Sequence, residues 1–280
     1  MQTYKYLVFP LVLASALAMT ACSGGGGGGG GGGDGDSTTS STAATSKAQG
    51  LYSGTGSSTT PGVTITPFQL LILENDEYWW MYGDSTPSRL VVESFTQGQG
   101  KSTTTTFTSL TNTDFGDQGA TDPIFTATYV SNVSINGTVT TTAPATATAP
   151  ATDISATVSA FPLAIATYDY NAAANLAAIT GAWPLTAGDG SATTISISAT
   201  GAITGYSGSC SLTGTIAPRE SGKNVFNTSV TFGPAPCLRA GQTFTGIGLS
   251  YPIAGTITRQ LVIAGVNSGR TADTTLYGTR

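Results

Sequence analysis

The chain has 280 residues, of which 9% are charged, with ten Lys and Arg against fifteen Asp and Glu, a net charge of −5 and no histidine. Without imidazole there is no Ser-His-Asp triad, the commonest general base is missing, and most zinc sites are excluded. The few basic residues form no stripe dense enough for nucleic acid, and no glycine motif marks a strand-to-helix phosphate turn, so neither nucleic acid nor a cofactor is expected.

At the start of the chain, Lys5 precedes an apolar stretch, Leu7 to Ala18, that is too short to span a bilayer as a stable helix. Met19-Thr20-Ala21-Cys22 follows, with two small residues before the cysteine. It reads as a lipobox in which Met19 replaces the usual Leu: residues 1–21 are a lipoprotein signal peptide, cut before Cys22, whose thiol takes the lipid. The competing reading is an ordinary secretory peptide cut near Ala21. One acyl chain anchors marginally and two or more anchor stably, so the expected partner of this end is a membrane.

Residues 22–49 are a tether. Gly24 to Gly33 is unbroken glycine, followed by a Ser/Thr-rich stretch with no apolar run to support a core. As a random coil it reaches roughly 30 Å, enough to lift a folded part clear of lipid headgroups.

Period-two alternation begins near Leu51. Val63, Ile65 and Phe68 to Leu73, then the polar turn Glu74-Asn75-Asp76-Glu77, then Tyr78-Trp79-Trp80-Met81-Tyr82 read as a β-hairpin. Further strands are predicted at Leu90–Val92, Thr103–Leu110, Ile124–Val130, Val133–Thr140 and Ile154–Ile165, with a proline-marked connection from Ala143 to Ala151. Residues 50–170 therefore form an N-terminal β-domain of about eight strands. Ala172 to Ile179 favours a short bridging helix that Gly181 can end.

A C-terminal β-domain, residues 171–280, follows with strands predicted around Ile195, Ile203, Ser211–Ile216, Val225–Phe232, Thr243–Ser250, Ile257–Ala264 and Thr274–Tyr277. The two units open alike, Gly50-Leu51-Tyr52 and Gly181-Ala182-Trp183, a weak sign of tandem repetition. Their charges differ: ten acids against two bases in residues 50–170, three acids against six bases from 171 on. The expected fold is all-β, two tandem antiparallel up-and-down eight-stranded barrels or barrel-like sandwiches joined by a short helix. Short strands rich in Thr and Ser argue against a membrane-spanning barrel.

Several constellations carry candidate roles. Cys210 and Cys237 are the only cysteines besides Cys22, and outside the cytoplasm they point to a disulfide worth roughly 3 to 4 kcal/mol in the chain-entropy picture. In the aromatic strand, Tyr78, Trp80 and Tyr82 share one face, Trp79 and Met81 the other. One face must be core. The other is a candidate surface for a protein or glycan partner, with Trp79 or Trp80 as anchor, because such aromatics dominate binding hot spots; the alternative cover for it is the second domain. Glu74, Asp76 and Glu77 crowd one turn, the residue type for acid–base hydrolysis of glycans, although a solvated turn is the default. Asp114, Asp117 and Asp122 lie near one another in a loop, but their spacing departs from a calcium loop and no metal is expected there.

Met19-Thr20-Ala21-Cys22-Ser23 with its glycine run resembles the start of surface-exposed proteobacterial lipoproteins. The factor H-binding protein and transferrin-binding protein B families share that layout of lipidated cysteine, glycine-rich tether and β-barrel domains. Ser221 to Phe226 and Gly241 to Ile247 resemble a group of proteobacterial lipoproteins to which no activity is attached. The resemblance implies an outer-membrane lipoprotein, since Asp after the lipidated cysteine favours inner-membrane retention and Ser23 stands there. It implies a position on the periplasmic side or at the cell surface, and it transfers no ligand-contact residue. The functional expectation is a non-enzymatic binding or envelope-interaction module. A carboxylate-dependent hydrolase of envelope glycans and a purely structural envelope protein are the alternatives.

Overall fold

The computed structural model describes residues 48–60, 65–86, 89–116, 122–143, 151–163, 168–253 and 255–280. The signal peptide, Cys22 and most of the tether lie outside this set.

The first barrel is built from β1 (Gly50–Ser58), β2 (Phe68–Ile72), β3 (Glu77–Tyr82), β6 (Ser94–Ser102), β7 (Thr106–Asp114), β8 (Ile124–Val130), β9 (Ser134–Ala143) and β10 (Thr152–Pro162). Each strand pairs antiparallel with its neighbour in sequence, and β10 returns to β1 to close the sheet, with Tyr52 opposite Pro162. A small hairpin of β4 (Ser85–Thr86) and β5 (Arg89–Leu90) is inserted between β3 and β6. The second barrel runs β11 (Gly181–Ala187), β12 (Ala192–Ile197), β13 (Ala202–Ser207), β14 (Cys210–Pro218), β15 (Phe226–Phe232), β16 (Thr243–Pro252), β17 (Arg259–Asn267) and β18 (Asp273–Thr279), closed by β11 on β18. Closure removes sheet edges that would otherwise template aggregation.

Alternation decides which side chains enter each barrel. On β8, Phe125, Ala127 and Tyr129 point in while Ile124, Thr126, Thr128 and Val130 face solvent. The second lumen holds a hydrophobic cluster that includes Trp183, Ile195, Ile197, Leu212, Phe226 and Leu261. Both barrels open on the same device: the Tyr52 hydroxyl donates to the Ala48 carbonyl at 2.9 Å, and the Trp183 indole N–H donates to the Ile179 carbonyl at 2.7 Å. In each case an aromatic plugs the lumen and is tied to the backbone four residues earlier.

The expected bridging helix is shorter than its alanine content suggests. Only Leu176–Ala178 is helical, as one 3-10 turn, with Asn175 Oδ1 accepting from the Ala177 N–H at 3.0 Å. A side-chain cap in the middle of the segment starts the turn late, and a single turn has too few hydrogen bonds to propagate.

Some strands are buried on both faces. All five residues of β2 are buried, as are seven consecutive residues of β17, Gln260–Val266. The cause is a shared core between the barrels: Leu71, Trp79, Met81 and Phe95 from the first pack with Leu249, Tyr251, Val262 and Ala264 from the second. A Cβ on Gly246 of β16 would sit 2.8 Å from the Trp79 ring, so the bare backbone there makes the bed for the indole. The charge difference between the units is used at the rim. Arg219 meets Glu74 at 2.7 Å, and Arg270 donates to the Gln97 carbonyl at 2.8 Å and to Thr113 at 3.3 Å.

The second barrel is also stapled. Cys210 at the start of β14 and Cys237 in the β15–β16 connection form the expected disulfide, with Cα atoms 4.8 Å apart.

Candidate functional site

The lumen of the first barrel is incompletely filled. Tyr78, Trp80 and Tyr82 of β3 project into it from alternate positions. Trp80 meets Phe125 edge to face at 5.0 Å between centroids. Near them lies a cavity of about 80 Å³, also lined by Val139, Ala156 and Val158 and by Ile65 and Thr66. Eight-stranded barrels are wide enough either to fill with side chains or to hold one small ligand, and this one does some of each.

One polar corner interrupts the apolar wall. The Tyr82 hydroxyl donates to Asp114 Oδ1 at 2.6 Å, and the Gly116 N–H donates to the same oxygen at 3.2 Å. Thr96 stands directly opposite Asp114 in the β6–β7 register. Burial pushes the Asp114 carboxyl above its ordinary value, although the hydrogen bonds from Tyr82 and Gly116 pull the other way. The same burial, with the Asp114 charge beside it, raises the Tyr82 phenol. Asp114 is the only charged residue lining the cavity and forms no salt bridge among the described residues.

A β-bulge aims Asp114 inward. Between Gln99 and Gly100 the β6–β7 register shifts, so that Ser109 and Thr111 have partners and Leu110 does not. Before the shift, Phe107 and Ser109 point into the barrel. Unbroken alternation would send residues 111 and 113 inward and Asp114 out. The extra residue reverses the phase: Thr113 now faces Arg270 of the second barrel, and Asp114 faces Tyr82 in the lumen. Gly100 makes room at this level, since a Cβ there would lie 2.2 Å from the Phe107 ring.

No family model, no curated protein and no solved structure matches the chain. The site is therefore read from its own geometry.

The candidate residues of the aromatic strand are placed differently from a partner-facing surface. Tyr78 and Trp79 are each only 1% exposed. Trp79 cannot be an outward anchor because the second barrel covers its face, where it packs on Phe95 and its indole N–H donates to Glu77 Oε1 at 2.9 Å. Trp80 and Tyr82 are partly buried and belong to the lumen wall. The second face is covered from within the chain, and the first encloses a cavity.

The clustered carboxylates are separated by their own partners. Glu74 pairs with Arg219, Asp76 accepts from the Ser102 N–H and hydroxyl at 2.9 and 2.7 Å, and Glu77 accepts from Trp79 and Gln97. Asp76 adopts a left-handed backbone, φ 64°, which fits a tight hairpin turn tied to β6. Of the aspartates considered for calcium, Asp114 is engaged by Tyr82, Asp122 is exposed, and Asp117 lies outside the described residues. Among the described residues no group of three or more carboxylates or cysteines is arranged to hold a metal.

Proposed function

We propose that the chain is a lipid-anchored envelope lipoprotein whose first barrel binds a small, largely apolar ligand in its lumen, without chemistry. The observation that carries the reading is the chemistry of the cavity beside Trp80 and Tyr82, walled almost wholly by aromatic and aliphatic side chains; the larger recess at the end of the second barrel, above Leu212 and Leu276, is lined by Asp189, Ser191, Ser207, Arg239 and Asp273 and is polar. Ligand sites are concave and mostly apolar, with a few placed polar groups to fix orientation, and the Tyr82–Asp114 corner fits that description. The second barrel's role in this reading is support, since it buries the outer face of the very strand that lines the cavity. Cys22 and the glycine tether supply attachment and reach.

The test is calorimetric titration of a neutral apolar probe small enough for the cavity, 3,3-dimethylbutan-1-ol, into the full chain and into Trp80→Ala. The reading expects saturable binding to the native chain and at least about a tenfold loss of affinity with the variant, the scale of a binding hot spot. Equal binding by both proteins would place the probe elsewhere and remove the support.

A further inference from the structure

We infer that the ligand of the first barrel is an organic cation, an ammonium group carried on an apolar or aromatic body. This inference rests on the lumen being the binding site and adds the charge of what enters it.

The argument begins with the one charge on the wall. A carboxylate inside an apolar cavity is unfavourable unless it is paired or fully hydrogen-bonded. Asp114 has Tyr82, Gly116, the Thr96 hydroxyl and the Phe115 N–H as donors, but among the described residues no Lys or Arg side chain lines the cavity beside it. Arg270 is turned to the outer face, where Gln97 and Thr113 hold it. The bulge at Leu110 is what brings Asp114 inside at all. Among the described residues, the fold thus places a carboxylate without a cationic partner on the lumen wall.

The second strand of the argument is what surrounds it. Tyr78, Trp80, Tyr82 and Phe125 ring the same space. Aromatic faces carry negative quadrupole potential and attract ammonium groups, most strongly where water is excluded. An aromatic wall and an unpaired carboxylate on one cavity both favour a cation, and both disfavour an anion. The surroundings agree in sign, for residues 50–170 hold ten acids and two bases, a field that steers cations toward the barrel.

Size sets the last limit. The cavity of about 80 Å³ is roughly half of the 150 Å³ that accommodates a benzene ring. It accepts a headgroup, and the rest of the ligand must lie outside it.

Three probes of one shape separate the possibilities: phenethyltrimethylammonium, its neutral isostere 3,3-dimethylbutylbenzene, and the anion 3-phenylpropionate. Each is titrated into the full chain, with isothermal titration calorimetry as the readout. The expected result is that the cation binds at least about tenfold more tightly than the neutral isostere, with the anion weakest. Asp114→Asn should shrink that ratio, chiefly by weakening the cation. Trp80→Leu, which keeps an apolar wall but removes the indole face, should reduce the ratio even if Asp114→Asn does not fold. If the neutral isostere or the anion binds as tightly as the cation, the inference is overturned and the lumen still stands as a binding site. If none of the three binds and 3,3-dimethylbutan-1-ol is not held either, the lumen reading falls with it.

Discussion

The Gln69 carboxamide of the first barrel donates to the Tyr251 hydroxyl of the second at 2.9 Å, at a place where both residues are at most 5% exposed. The same hydroxyl lies 3.2 Å from Gln260 Oε1, and Gln260 in turn grips both the N–H and the carbonyl of Leu90. A hydroxyl has one proton to give, so it accepts from Gln69 and donates to Gln260. The chain of bonds runs from β2 through β16 and β17 to β5, and it fixes the register of two barrels whose other contacts here are non-directional. Tyr251→Phe leaves the Gln69 amide and the Gln260 oxygen short of partners in a dry core. The expected loss is about 1–3 kcal/mol, read as a lower urea midpoint at unchanged slope.

Asp114 gives a pH signature. Its carboxyl is raised above the ordinary 3.8 by burial, so the folded state binds the proton more tightly than the unfolded state does. The sign follows: the stability that Asp114 contributes is present when it is protonated, and is lost as pH rises through the interval from the ordinary value to the raised one. Asparagine keeps an acceptor for Tyr82 and Gly116 without the buried charge. Asp114→Asn should therefore melt higher than the native chain at neutral pH, with the gap closing below the ordinary carboxyl range of about 4. A gap of the same size at both ends of a pH series of thermal melts would contradict the assignment.

Much of the fold is legible in the sequence because alternation is a direct image of the pleat. Phe125, Ala127 and Tyr129 announce their inward face, and the eight-strand count of each unit follows. What is hidden lies where the period breaks. The β6 strand, Ser94–Ser102, runs through Gln97-Gly98-Gln99-Gly100, a segment of low strand propensity, and the expected strand at Leu90–Val92 is mostly a connection that feeds the interface. The unbroken apolar run Phe68-Gln-Leu-Leu-Ile-Leu73 signals burial on two faces but not what covers the second. Asp114 is the sharpest case. Its side depends on one unpaired residue, Leu110, and a bulge is set by pairing with a partner strand, which spacing along one strand does not record.

The Cys210–Cys237 bridge spans 27 residues, and a loop of that length should stabilise the fold by roughly 3 to 4 kcal/mol in the chain-entropy model. Non-reduced digests should yield the linked peptide by mass spectrometry, and the Cys210→Ala, Cys237→Ala chain should unfold at lower urea. Because the bridge lies in the second barrel, far from Trp80 in sequence, probe affinity under native conditions should stay as it is.

Attachment is tested at Cys22. Cys22→Ala should abolish incorporation of labelled palmitate and leave a chain that leaves the membrane fraction on carbonate washing. A precursor should accumulate in the native chain when lipoprotein signal peptidase is inhibited. Membrane association of Cys22→Ala that survives carbonate would show that lipid on this cysteine is not the anchor.

The claim at the centre of this account is that the first lumen is a binding site, and the sequence provides its own reporters. Only three tryptophans are present: Trp80 on the cavity wall, Trp79 in the core between barrels, and Trp183 sealed in the second lumen with Arg280 stacked 4.3 Å over its ring. An indole ¹H–¹⁵N spectrum of the full chain should therefore show three side-chain resonances. Titration with 3,3-dimethylbutan-1-ol should move the Trp80 resonance saturably while those of Trp79 and Trp183 stay in place. A Trp80 resonance that does not shift at saturating probe, or three that shift together, would contradict it.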